Sequence, residues 1–206
     1  SPCGPCRSST WQRSSMKVVA YVARRYEGVT RKALGGEAKV WTSPPLKDDD
    51  FGPMGRAHSA LSGYDLVVFN LHGYPDSGMW VGGDTLEQKT TAIREGTLSR
   101  LPISRAGVFA INCYLGDENH PMRLALARAR ASWVVSGAGE NFGGLTGLVG
   151  ADVLLKYFVK SLIHGRSPEE ALEHAKFKTK LFSPRFTSAQ RKAMDDALEF
   201  TLWRPA

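Results

Sequence analysis

DLVVFNLHGYPDSG, residues 65–78, sets an apolar run directly against His-Gly. Leu66 to Phe69 are four consecutive apolar residues, three of them β-branched or aromatic, and suit a short strand in a sheet covered on both faces. The Gly73, Pro75, Asp76, Ser77 and Gly78 cluster ends that strand within a few residues. His72 is thereby placed at or just past the strand's carboxyl end, the edge where open α/β sheets collect ligands and chemistry.

Working outward, strands and helices alternate. MKVVAYVA from Met16 reads as a first strand and EAKVWT, around Lys39 to Thr42, as a second. PPLKDDDFGPMG is a loop by composition, and RAHSALSG a short helix ahead of the strand that carries His72. TLEQKTTAIREG is helix-like; AGVFAINCYLG holds a buried strand, Val108 to Ile111, that ends at Cys113. PMRLALARARA is rich in strong helix formers, and SWVVSGAG is a fifth strand followed by the Gly-rich GAGENFGGLTG. Ala151, Leu154, Leu155, Phe158 and Leu162 form one helical stripe, with Gly165 as its stop. Ser167, Pro168 and Glu170 spell a capping box with Pro at the first helical position, and Thr187 with Gln190 repeats that logic for a last helix through Leu198. Phe200 to Trp203 offers a sixth strand. This alternation predicts an α/β fold, a three-layer α/β/α sandwich around a mostly parallel sheet of about six strands.

The 206 residues are enough for one domain with a full core. Hydrophobic content of 42% and charged content of 23% are those of a soluble globular chain. No apolar run approaches a membrane span, and the first 15 residues lack the apolar core of a signal peptide, so the expectation is a cytoplasmic setting without membrane partners. Residues 1–15 read as a tail or fragment leader and 16–206 as the domain. The net charge of +7 is spread over scattered residues such as Arg24, Arg56, Arg100 and Arg128, without a basic run or interleaved aromatics, which speaks against nucleic acid.

Two strands adjacent in the strand count end in reactive side chains, His72 after LVVFNL and Cys113 after GVFAIN. Parallel pairing puts both on one sheet edge. An ordinary thiol is only a few per cent thiolate at neutral pH, so an imidazole that takes its proton activates it. The expectation is therefore catalytic roles for His72 and Cys113, with an oxyanion hole from the backbone amides of Gly73 and Cys113. The alternative is a structural histidine and a buried cysteine acting as a small hydrophobe.

VVFNLHG followed by FAINCYLG resembles the His-Gly and Cys blocks of caspase-like cysteine peptidases (clan CD), particularly CHAT domains and gingipain-like members. The resemblance runs from about Met16 to the end and takes in WVVSGAGENFGG and GADVLLKYFVKSLIHGRSPEEALEHAK; FTLWRP departs from the pattern at Trp203, Arg204 and Pro205, where the domain would be cut short. It implies a caspase-like sandwich and a cysteine endopeptidase, a hydrolase in which Cys113 attacks a peptide carbonyl and His72 protonates the leaving amine. The implied partners are a protein or peptide substrate and activating or sensor domains; the second reading is a non-catalytic caspase-like interaction module. Glutamine amidotransferases, whose Cys precedes the His in a Gly-x-Cys-x-Gly turn, do not fit Asn112-Cys113-Tyr114. Metacaspases carry Asp two positions before the Cys, where this chain has Ile111, and none of Asp48, Asp49, Asp50 or Asp76 is assigned to a specificity pocket.

CGPC, Cys3 to Cys6, matches a redox motif but lacks the preceding strand, and reads as an adventitious pair or tail disulfide. No His, Cys, Asp or Glu cluster has zinc spacing, so neither metal nor cofactor is expected. His58 and His174 fall in helix-like segments and His164 near a helix end, while Asn119 and His120 are candidates for shaping the cleft.

Overall fold

In a computed structural model that describes residues 16–205 except 37 and 86, β1 (Val18–Ala23) is buried along its whole length. Residues 1–15, with Cys3 and Cys6, lie outside the described residues. The two faces of β1 feed separate cores: Val19, Tyr21 and Ala23 enter one, Val18, Ala20 and Val22 the other. That arrangement explains the unbroken apolar reading, since a strand covered on both sides needs no polar alternation.

Beside β1 stand β2 (Lys39–Ser43) and β3 (Leu66–Asn70); beyond them come β6 (Gly107–Ala110), β7 (Trp133–Ser136) and β8 (Thr201–Trp203). The sheet order is β2-β1-β3-β6-β7-β8, parallel throughout except for the antiparallel β8. The chain winds from β1 to β2 on one side and then to β3 on the other. The switch point therefore falls between β1 and β3, at whose carboxyl ends open α/β sheets characteristically bind ligands.

One face is covered by α1 (Glu27–Leu34), α4 (Ala151–Ile163), α5 (Pro168–Phe182) and α6 (Ser188–Leu198). The other carries the single turn α2 (Glu95–Leu98), α3 (Pro121–Arg128) and a separate antiparallel pair, β4 (Met79–Gly82) with β5 (Thr90–Arg94). The three-layer α/β/α sandwich and the mostly parallel six-stranded sheet are as the sequence predicts. Both capping boxes form: Ser167 Oγ accepts from the Glu170 amide at 3.2 Å, and Thr187 Oγ1 from that of Gln190 at 3.4 Å.

Three local readings are corrected. RAHSALSG is a chain of four-residue β-turns, not a helix: His58 N bonds Gly55 O, and Ala60 N bonds Ala57 O. Gly55 sits so close to the Asp50 carbonyl that a Cβ would lie 2.2 Å from it, which fixes the segment on the preceding loop. TTAIREG is β5 plus one helical turn, because Thr90, Thr91 and Ile93 are β-branched and Ile93 finds Trp80 across the pair. The α1 helix and β4 were not foreseen.

Candidate functional site

The strand that carries His72 ends because its backbone changes partner. Asn70 is the last β3 residue, and its side chain donates to Thr30 Oγ1 on α1 at 3.0 Å. His72 then pairs with the β4–β5 unit, donating to Val81 O at 2.9 Å and accepting from Val81 N at 3.0 Å. This fixes the imidazole at the carboxyl edge, with its ring tilted against that of Tyr26 at 5.2 Å.

Gly73 is required by the close approach of a neighbouring strand end. A Cβ there would lie 2.5 Å from the Cys113 carbonyl oxygen and 3.1 Å from its nitrogen, so any larger residue drives the β3 and β6 ends apart. The backbones at Gly73 and Cys113 are thus in contact across neighbouring parallel strands.

Cys113 is half-buried and free. The Gly-rich loop after β7 holds it: Asn141 N donates to Sγ at 3.2 Å, and Asn141 Nδ2 donates to Asn112 O at 2.8 Å. Tyr114, at a left-handed φ of 64°, donates its amide to Gly139 O at 2.9 Å, and Gly116 N does the same to Gly137 O. Burial pushes the thiol above its ordinary pKa; the Asn141 amide opposes this, Glu140 adds to it, and the amides of Cys113 and Gly73 oppose it further. Burial likewise pushes His72 below its ordinary value, helped by the charges of Arg25 and Lys89. Near neutral pH both groups are therefore uncharged, so the thiol keeps its proton until something draws it off.

Several buried polar atoms at this edge lack a protein partner: His72 Nε2, Arg25 Nε and one terminal nitrogen, both side-chain polar atoms of Asn112, Ser136 Oγ and Asp152 Oδ1. Arg25 follows the end of β1 and Ser136 ends β7, while Asp152 opens α4 beneath the Gly-rich loop. Burial raises the pKa of the Tyr26 hydroxyl, opposed by Arg25 and reinforced by Cys113, Asp152 and Tyr74.

Other candidates resolve differently. His120 is buried and structural: its Nδ1 accepts from Met122 N at 3.2 Å, so Nε2 carries the proton it donates to Tyr74 O at 3.0 Å. It ties α3 to the loop after His72, whereas Asn119 is exposed. Asp48 is buried against β5, accepting from Arg94 N at 2.6 Å and from its guanidinium at 2.8 Å, and Asp50 pairs with Arg56 at 2.7 Å. Sequence reasoning missed Arg25, Tyr26 and Asn141; the strand-end rule that selects His72 selects Arg25 equally well. No group of three or more potential metal ligands occurs among the described residues, and no described helix is long and apolar enough to cross a membrane.

No family model matches the chain, and no curated protein does. Among solved structures it is similar to the pyridoxal kinase from Staphylococcus aureus in complex with ADP, at 14% identity and a TM-score of 0.37, covering 79% of this chain and 86% of that one. The same kinase in complex with AMP-PCP and pyridoxal gives 14% identity and a TM-score of 0.34. A likeness this remote assigns no activity to the chain. The caspase-like assignment is corrected: no family model, of a caspase-like peptidase or any other, matches the chain, and the two solved structures named above are of a pyridoxal kinase. With it go the cysteine endopeptidase activity, the hydrolase class, the CHAT and clan CD placement, and the alternative of a caspase-like interaction module.

Proposed function

We propose that the carboxyl edge between β1, β3 and β6 is a thiol-centred binding site that captures a small, acidic carbonyl compound reversibly on Cys113. The observation that carries this reading is the set of unpartnered buried donors and acceptors gathered there, above all His72 Nε2 and the Arg25 guanidinium. Buried polar groups are costly unless something bonds them, so a site that leaves several open at a topological switch point suits a polar ligand.

The chemistry follows from the protonation states. His72 Nε2 takes the thiol proton as sulfur bonds to the carbonyl carbon. The π pair moves to oxygen, and His72 returns the proton there, leaving a neutral thiohemiacetal. The amides of Gly73 and Cys113 favour negative charge at this point, as their pull on the thiol indicates. Arg25 supplies donors for the ligand's acidic group. A reducing, cytoplasmic setting belongs to the proposal, since capture needs the free thiol.

The test is carbon-13 NMR of labelled glyoxylate with a Cys3→Ser/Cys6→Ser background protein. The reading expects a bound adduct that vanishes in Cys113→Ser and forms roughly 10²-fold or more slowly in His72→Ala. Arg25→Gln should weaken glyoxylate more than a neutral aldehyde. An adduct that persists in Cys113→Ser would overturn the proposal.

A further inference from the structure

At the far end of α4 from this edge, the last turns of α4 and the body of α5 line a cavity of about 240 Å³. Its lining comprises Tyr157, Lys160, Ser161, His164, Arg166, His174 and Lys178, with no acidic side chain. Among the described residues Lys160, Arg166 and Lys178 form no ion pair, unlike the acids of the same helix. Glu170 is engaged in the Ser167 cap, Glu173 pairs with Lys176, and Glu169 with Arg204. Three fixed positive charges thus face one cavity with nothing opposite them.

The two histidines are already oriented. Ser161 Oγ donates its only proton to Tyr157 O at 2.8 Å, so at 2.8 Å from His174 Nδ1 it can only accept. His174 therefore carries its proton on Nδ1, and its Nε2 stays available. His164 Nδ1 donates to Lys160 O at 2.6 Å, leaving its Nε2 available as well.

The dipole of α4 accounts for cations near its carbonyl end, where Lys160 and His164 sit. It does not account for Arg166, in the connection, or for Lys178, inside α5. Nor does a helix end, with about half a charge, require three cations. The surplus fits a ligand bearing at least two negative charges.

We propose that this cavity is a phosphate site, binding the dianionic phosphate of a small molecule through Lys160, Arg166, Lys178 and His174. Bound charge favours protonation of His174, whose pKa is otherwise pushed below its ordinary value by burial first and then by Arg166, Lys178 and Lys160. The site is separate from the Cys113 edge: α4 runs 13 residues between them, about 20 Å of helix.

The experiment titrates the protein at low salt with inorganic phosphate, pyrophosphate and phenyl phosphate, following the His174 ring resonance. Saturable shifts with a raised His174 titration midpoint are expected. The double variant Arg166→Gln/Lys178→Gln, exposed and half-buried positions that leave the core intact, should bind roughly tenfold or more weakly, the weight of lost charge-assisted hydrogen bonds. Preference for phenyl phosphate over inorganic phosphate would identify an organic carrier, and the reverse a free phosphate; either supports the site. No shift, equal binding by the variant, or binding only to anionic vesicles would overturn it.

Discussion

From Ser167 onward the helices close their own ends: Ser167 and Glu170 satisfy each other's amides, and so do Thr187 and Gln190. Along the carboxyl edge of the sheet, His72, Arg25, Asn112, Ser136 and Asp152 bury polar atoms that nothing in the protein bonds. The first region contains an exception, Thr179 Oγ1 on α5. The helix ends of the first region complete their own hydrogen bonds. The other keeps open donors and acceptors where three strand ends converge, which is where a ligand can complete them.

The contrast is sharpest in the core under α4. Phe158 is fully buried and meets Phe109 at 5.1 Å and Trp133 at 5.7 Å between ring centroids. Phe158→Ala should cost about 3–5 kcal/mol in chemical denaturation, by lost transfer energy plus the cavity left behind. It should leave Cys113 alkylation unchanged in protein that is still folded. A parallel loss of thiol reactivity would break the separation of the two regions.

Asp152 tests the edge from the stability side. Burial raises its pKa from 3.8 to about 7, against the opposing amides of Gly144 and Val149. A folded pKa above the unfolded one means the stabilisation is complete below 3.8 and disappears as pH climbs through about 7. At roughly 1.4 kcal/mol per unit, the total loss is on the order of 4 kcal/mol. Denaturation across that range should show the wild type losing stability relative to Asp152→Asn. Parallel profiles would mean that Asp152 Oδ1 is bonded as well as Oδ2 and the edge less open than described.

A smaller effect is expected at Gly73, where a methyl group meets the Cys113 backbone rather than a movable side chain. Gly73→Ala should cost about 1–3 kcal/mol as overpacking and should alter the alkylation rate of Cys113. Stability loss without any change at the thiol would separate the two strand ends functionally. Smallest is Ser167→Ala, which removes one cap from a well-packed helix and should cost about 1 kcal/mol, read as a small shift in the denaturation midpoint. It should leave the edge untouched.

The legibility of the chain follows the same division. The α4 stripe, the two capping boxes and the five parallel strands depend on residues close in sequence, and their patterns survive folding unchanged. The β4–β5 pair was misread because the β-branched Thr90, Thr91 and Ile93 sit among helix-compatible neighbours, and their pairing with Trp80 and Val81 joins two separated segments. RAHSALSG has helical composition, yet its backbone is set by Asp50 and Phe51 through bonds from Ala57 and His58. At the site, His72, Gly73 and Cys113 were legible as strand ends. Asn141 was not, because a Gly-rich loop gives no hint of which amide will reach a sulfur 28 residues earlier. The family resemblance built on those same short blocks did not survive comparison with known proteins.

The amino-acid sequence by itself determined the α/β alternation, the helix caps and the placement of His72 and Cys113 on one edge, because periodicity and parallel pairing carry that information locally. Only the tertiary structure decided which side chains face that edge unpartnered, that Asp152 is buried with one carboxylate oxygen unbonded, and that Lys160, Arg166 and Lys178 share one cavity. Those properties depend on desolvation and on charges brought together from distant segments, and neither exists until the chain has folded.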